Sequence, residues 1–281
     1  MTITTPQARP AAQPSRPGRH RPVAWDVARS EWIKLWTVRS TYWTLLLTGA
    51  GMAGFGALLC AAYARHYGTV SAAARRGFDP AAYSLSGFFL AQLAIGVLGV
   101  VVITSEYATG SIRSTFAAAP QRARVLAAKA AVFGTVAAAT GIASSLAAFF
   151  TGQALLAGTG TGTHIGAPGA LRSVIGAGLY LAVLGLLALG LGTLIRRTAG
   201  AITAVTGLVI ILPVLVQGLP SSWQAVTTRY LPSVAGQAII GRTKFAPPGQ
   251  LLPAWTGFAL FCAYTAVVLT AAALTLSRRD A

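Results

Sequence analysis

The residues able to do chemistry in this chain are few, and they gather in one place. Among 281 residues there are 22 Lys and Arg, 5 Asp and Glu, 3 His and 2 Cys. Glu106 is the single acidic residue between Asp79 and Asp280, and it stands at the start of a loop, 105 to 129, that also holds Arg113, Arg122, Arg124 and Lys129. A carboxylate in so basic a setting, at the edge of apolar sequence, is suited to strong pairing, and its removal would strand several positive charges. Gly110 permits a sharp change of direction, residues 111 to 119 can form a short helix, and Pro120 can start a second one. Two uses fit this loop. Its charges can simply end one apolar segment and begin the next, or it can form a rigid knob that contacts another protein.

Catalysis finds no comparable footing. An enzyme working inside a membrane needs a nucleophile with its base, or a set of metal ligands. His20, His66 and His164 lie outside the apolar stretches, paired carboxylates are absent, and Cys60 and Cys262 lie within those stretches as small hydrophobes. The repeat Gly158-Thr-Gly-Thr-Gly-Thr163 superficially resembles a phosphate loop, but no Lys-Ser/Thr follows it, and it reads as a flexible external turn. With no Walker sequence, the chain is expected to bind no ATP itself, and to need no cofactor or metal.

The elements that must position Glu106 are apolar. Six stretches carry no charged residue: 42–63, 83–104, 130–156, 173–195, 199–219 and 254–276. Each reaches the roughly 20 residues that a hydrocarbon core about 30 Å thick requires. This pattern excludes a soluble globular enzyme and predicts an all-α, polytopic membrane protein with six transmembrane helices. A net charge of +17 could suggest nucleic acid, but that partner needs a basic face on a soluble domain, and here the positives are spread between the spans. With the N-terminus inside, fifteen Lys and Arg fall on the inner side and seven on the outer. The bias places both termini in the cytoplasm. No Asp, Glu, Lys, Arg or His lies within any span, which argues against an ion-coupled secondary transporter, since such proteins place these groups at mid-membrane.

Residues 1–24 hold five prolines and four arginines with no acidic residue, and are expected to be a disordered basic tail that is drawn to the inner leaflet. Residues 25–41 read as an amphipathic helix lying in the interface: Trp25, Ala28, Trp32, Leu35 and Trp36 recur at helical spacing, while Asp26, Ser30, Glu31, Lys34 and Thr37 occupy much of the remainder. Trp25, Trp32 and Trp36 are therefore expected to anchor the helix among membrane lipids. From 42 to 281 runs the six-span domain. Gly49, Gly51, Gly54 and Gly56 in the first span, and the Gly and Ala of the third and fourth, suit close packing in lipid. Pro213 should kink the fifth span. Between the last two spans, residues 230–241 are too apolar for a solvated loop and too short to cross, so they are expected to dip toward the membrane. Arg outnumbers Lys 19 to 3, which alone points to no function.

Three segments in order, WDVARSEWIKLWTVRSTYW (25–43), ITSEYATGSIRSTFAAAPQRARVLAAK (103–129) and YLPSVAGQAI (230–239), resemble small actinobacterial ABC transporter permeases of the ABC-2 type. The most specific part is the Glu-Tyr-x-x-Gly-x-x-Arg pattern of Glu106, Tyr107, Gly110 and Arg113. The resemblance implies a half-transporter of the bacterial cytoplasmic membrane that pairs with a second permease copy or paralogue. A cytoplasmic coupling helix in the 105–129 loop would dock on a separate ATPase subunit, which binds the ATP. Glu106, Tyr107, Gly110 and Arg113 would be the coupling positions, with Arg122 and Arg124 beside them. The function so implied is export of a hydrophobic or amphipathic substrate. A subunit that only anchors or senses within a resistance module remains the alternative.

Overall fold

The computed structural model describes residues 24–111, 122–241 and 251–279. Among them no strand occurs, and six helical stretches are long and apolar enough to cross a membrane. Residues 1–23 of the basic tail lie outside the described residues, and Ala24 already belongs to the first helix.

Helix α1 (Ala24–Thr37) has Asp26 in its first turn and Lys34 in its last, matching the positive and negative ends of the helix dipole. Val38 then takes extended backbone (φ −91°, ψ 114°), and the first long helix, α2, runs from Arg39 to His66. The break therefore falls at Val38, earlier than the expected boundary after residue 41, and Arg39 to Thr41 belong to the long helix. Two short helices, α3 (Ala72–Arg76) and α4 (Pro80–Ser84), lead into α5 (Phe88–Thr109). Helix α6 spans Arg122–Leu156 and α7 Ala170–Ile195. Several of these helices run past the charge-free windows at their ends, because charged residues can extend a helix once it has reached the polar boundary.

Helices α5 and α7 form the core and are mostly buried, whereas α2 and the last helix, α12 (Ala254–Arg279), expose most of their surface. The reason lies in their crossings. A methyl group at Gly99 would strike the Gly185 carbonyl, and one at Gly141 would come within 2.8 Å of the Gly178 carbonyl. Backbones this close gain dispersion contacts that substitute for the hydrophobic effect within lipid. Of the four glycines in α2, Gly56 is needed for a close approach, to the Ser84 carbonyl, while Gly54 faces open space.

The fifth stretch is built from α8 (Thr198–Thr206), a π-helical turn (Gly207–Ile211) and α9 (Leu212–Val216). Pro213 would clash with the carbonyl four residues earlier in a regular helix, and the wide turn just ahead of it takes up that mismatch. The stretch ends at Val216, short of the expected residue 219.

Helices α10 (Ser221–Thr227) and α11 (Pro232–Gln237) fill the connection to α12. As the apolar composition requires, residues 231–240 are almost wholly buried. They pack at the Ala170 end of α7, where Ser173 Oγ donates to the Ile240 carbonyl at 2.7 Å, and Gly236 lies against Phe261 and Tyr180.

Candidate functional site: a buried ion-paired knot

At the opposite end of the bundle four charged side chains meet. Helix α1 supplies Glu31 and Lys34, one turn apart, and Lys34 Nζ donates to Glu31 Oε1 at 2.6 Å. Glu106 comes from the last turn of α5, and Lys129 from the second turn of α6. Lys129 Nζ donates to Glu31 Oε2 and, at 2.9 Å, to Glu106 Oε1. Lys34 reaches the same Glu106 oxygen at 3.4 Å. Two carboxylates and two ammonium groups thus alternate and cancel.

The burial is what makes this arrangement consequential. Side-chain exposure is 3% for Glu31, 5% for Lys129 and 12% for Glu106, so each charge depends on its partners rather than on water. Lys34 is the outlier at 42%. Burial pulls the Lys34 ammonium down, but its hydrogen bond to Glu31 and the charges of Glu31 and Glu106 outweigh that effect and hold its pKa above the ordinary lysine value.

Further contacts converge on the end of α5. Tyr107 is half-buried, and the Arg196 guanidinium lies 5.3 Å from its ring centroid. Arg196 closes α7 in the left-handed region (φ 61°). Beside it, Thr198 Oγ1 donates to Thr104 Oγ1 at 2.9 Å. Gly110 then ends α5 at φ 72°, a conformation that costs glycine little, with open space around it. The last turn of α5 is therefore held from one side by α1 and α6, and from the other by the α7–α8 turn.

The expected neighbours of Glu106 need correction. Lys129 does pair with it, but the second partner is Lys34 from α1. Arg124 is exposed, and Arg122 Nη1 donates to the Leu276 carbonyl at 3.3 Å, linking the start of α6 to α12. Arg113 and residues 112–121, including the proposed coupling helix, lie outside the described residues. Glu31 also needs correction: assigned to the polar side of α1, it faces inward instead. One signal in the sequence pointed to it. Lys34 and Lys129 are two of only three lysines in an arginine-rich chain, and an ammonium is a compact point charge on a flexible stem with three donors to share between carboxylates.

On α1 the tryptophans divide. Trp25 and Trp32 are exposed, whereas Trp36 is half-buried, sits 5.6 Å from Trp32 in an edge-on contact and packs against the core. Among the described residues no group of His, Cys, Asp and Glu could hold a metal. No family model matches this chain, and no curated protein matches it.

Proposed function

We propose that this chain is the membrane-spanning permease subunit of an ATP-driven exporter, working in the bacterial cytoplasmic membrane with both termini inside. A separate ATPase subunit binds the ATP, and a second permease copy or paralogue completes the pore. The observation that carries this reading is the knot of Glu31, Lys34, Glu106 and Lys129. It ties α1 to the last turn of α5 and the start of α6, at the two points where the 112–121 segment joins the bundle. A push on that segment by a soluble partner would reach α1, α5 and α6 together, and through Tyr107 and Arg196 the turn between α7 and α8. Paired charges with alternative partners suit a two-state switch between inward and outward access. The exposed Trp25 and Trp32 suit an α1 that lies in the membrane interface.

The test is co-reconstitution in proteoliposomes with an ABC-type ATPase subunit from the same organism. Wild-type permease should stimulate ATP hydrolysis and ATP-dependent transport, and Glu106→Ala or Arg113→Ala should lower both while the purified subunit keeps its helical content. Unchanged coupled activity in both variants would sink the assignment of the coupling site. An ATPase that binds stably but drives no transport in any condition would turn the reading toward an anchor or sensor.

A further inference from the structure

A cavity of about 410 Å³ opens beside the knot, between α1, α2, α5 and α6. That volume lies within the range of sites for small organic ligands, roughly 300 to 1,000 Å³. Its lining is graded. Glu106, Val102 and Leu98 recur at intervals of four along α5, so they share one helix face, and the apolar end at Leu98 lies about 12 Å deeper than the carboxylate. Val101 and Val132 add to the apolar end, and the knot forms the polar one.

We infer that this cavity holds the head and first carbons of the transported substrate, and that the substrate is an amphiphile bearing a protonated amine. The inference rests on the permease reading and adds a substrate class to it.

The decisive group is Glu106. Both lysines donate to its Oε1, whereas its Oε2 accepts no hydrogen bond among the described residues, and the side chain, 12% exposed, lines the cavity. Glu31, by contrast, has both oxygens engaged. A carboxylate oxygen free of donors, at the polar end of an apolar slot, recognises an ammonium by a charge-assisted hydrogen bond. The Lys34–Glu106 contact is the longest of the four at 3.4 Å, and Lys34 is the most exposed member. An incoming ammonium would take over this contact, leaving Lys34 on Glu31 and keeping Lys129 between both carboxylates. Occupancy would thereby re-pair the group next to the segment that the ATPase is proposed to push.

The experiment uses the purified full-length chain in detergent, without any ATPase, and three fluorescent probes of matched length: a dansylated hexyl chain ending in ammonium, in hydroxyl or in sulfonate. The ammonium probe should bind about tenfold more tightly than the hydroxyl probe, the scale of one charge-assisted hydrogen bond. Glu106→Gln should erase that preference, and Val101→Trp, which fills the apolar end without touching the knot, should abolish binding of all three. Equal binding of ammonium and hydroxyl probes to the wild type overturns the proposal even if Glu106→Gln does not fold. Tightest binding of the sulfonate probe overturns it as well, and assigns the cavity to anionic lipid heads through Lys34. Coupled transport without ammonium preference defeats this inference alone, whereas ammonium preference without ATPase coupling defeats the permease reading alone.

Discussion

Lys129 on α6 and Glu31 on α1 are separated by 98 residues in sequence, yet they form the most enclosed ion pair among the described residues, with side chains 5% and 3% exposed. Neither can turn to water if the other is lost. Glu31→Gln should therefore destabilise the protein by about 3 kcal/mol, the low end for breaking a buried pair. Glu106→Gln should cost less, because Lys129 would still hold Glu31. Thermal unfolding followed by circular dichroism in detergent ranks the two variants, and a larger loss from Glu106→Gln would contradict this partition.

Alkaline pH should act through Lys34. Its pKa is raised above 10.5 in the folded protein, so the folded state holds the proton more tightly than the unfolded one. The stabilisation is complete below the unfolded value and is lost as pH climbs through the folded one. Because Lys34 is well exposed, the effect is expected to be modest. Between about pH 10 and about pH 12 the wild type should lose more melting temperature than Lys34→Gln, measured side by side. Parallel curves would remove Lys34 as the cause.

The crossing of α5 and α7 makes a steric prediction. Gly99→Ala places a methyl group against the Gly185 carbonyl, which belongs to a buried backbone and cannot swing aside. Forced separation should cost about 1 to 3 kcal/mol. Gly54→Ala meets nothing within 4 Å and should be neutral or slightly stabilising through helix propensity. Comparing yield and melting temperature for the pair checks this directly.

Arg196 sets two effects against each other. Its left-handed backbone (φ 61°) costs a non-glycine residue about 1 kcal/mol, while its position over Tyr107 returns a similar amount. Arg196→Gly relieves the first and forfeits the second, so its melting temperature should stay close to wild type. Arg196→Ala keeps the strain and loses the ring contact, and should melt lower than Arg196→Gly. The reverse order would mean that the left-handed backbone at this turn carries no strain for glycine to relieve.

Much of the architecture could be read without coordinates because lipid imposes a one-dimensional rule. A charge within a span is costly, so stretches such as 83–104 and 173–195 announce their helices by what they lack. The same logic marked residues 230–241 as too apolar for a solvated loop, and residues 231–240 are almost wholly buried, against the end of α7. The helix ends were less legible. The break at Val38 and the π-turn before Pro213 depend on how neighbouring backbones pack, and no residue type encodes that alone.

The site divides along the same line. Sequence by itself determined that charge is confined to the segments between spans, and that Glu106 stands alone among basic residues at one span end. It could not say which cations that carboxylate would choose, because residues 31, 34, 106 and 129 come from three helices whose rotations are set by packing. Proximity in sequence favoured Arg113, Arg122, Arg124 and Lys129. Among the described residues the tertiary structure pairs Glu106 with Lys129, which was in that set, and with Lys34, which was not, since rotation of α1 and α6 brings two ammonium groups into a space too dry to leave either carboxylate unpaired.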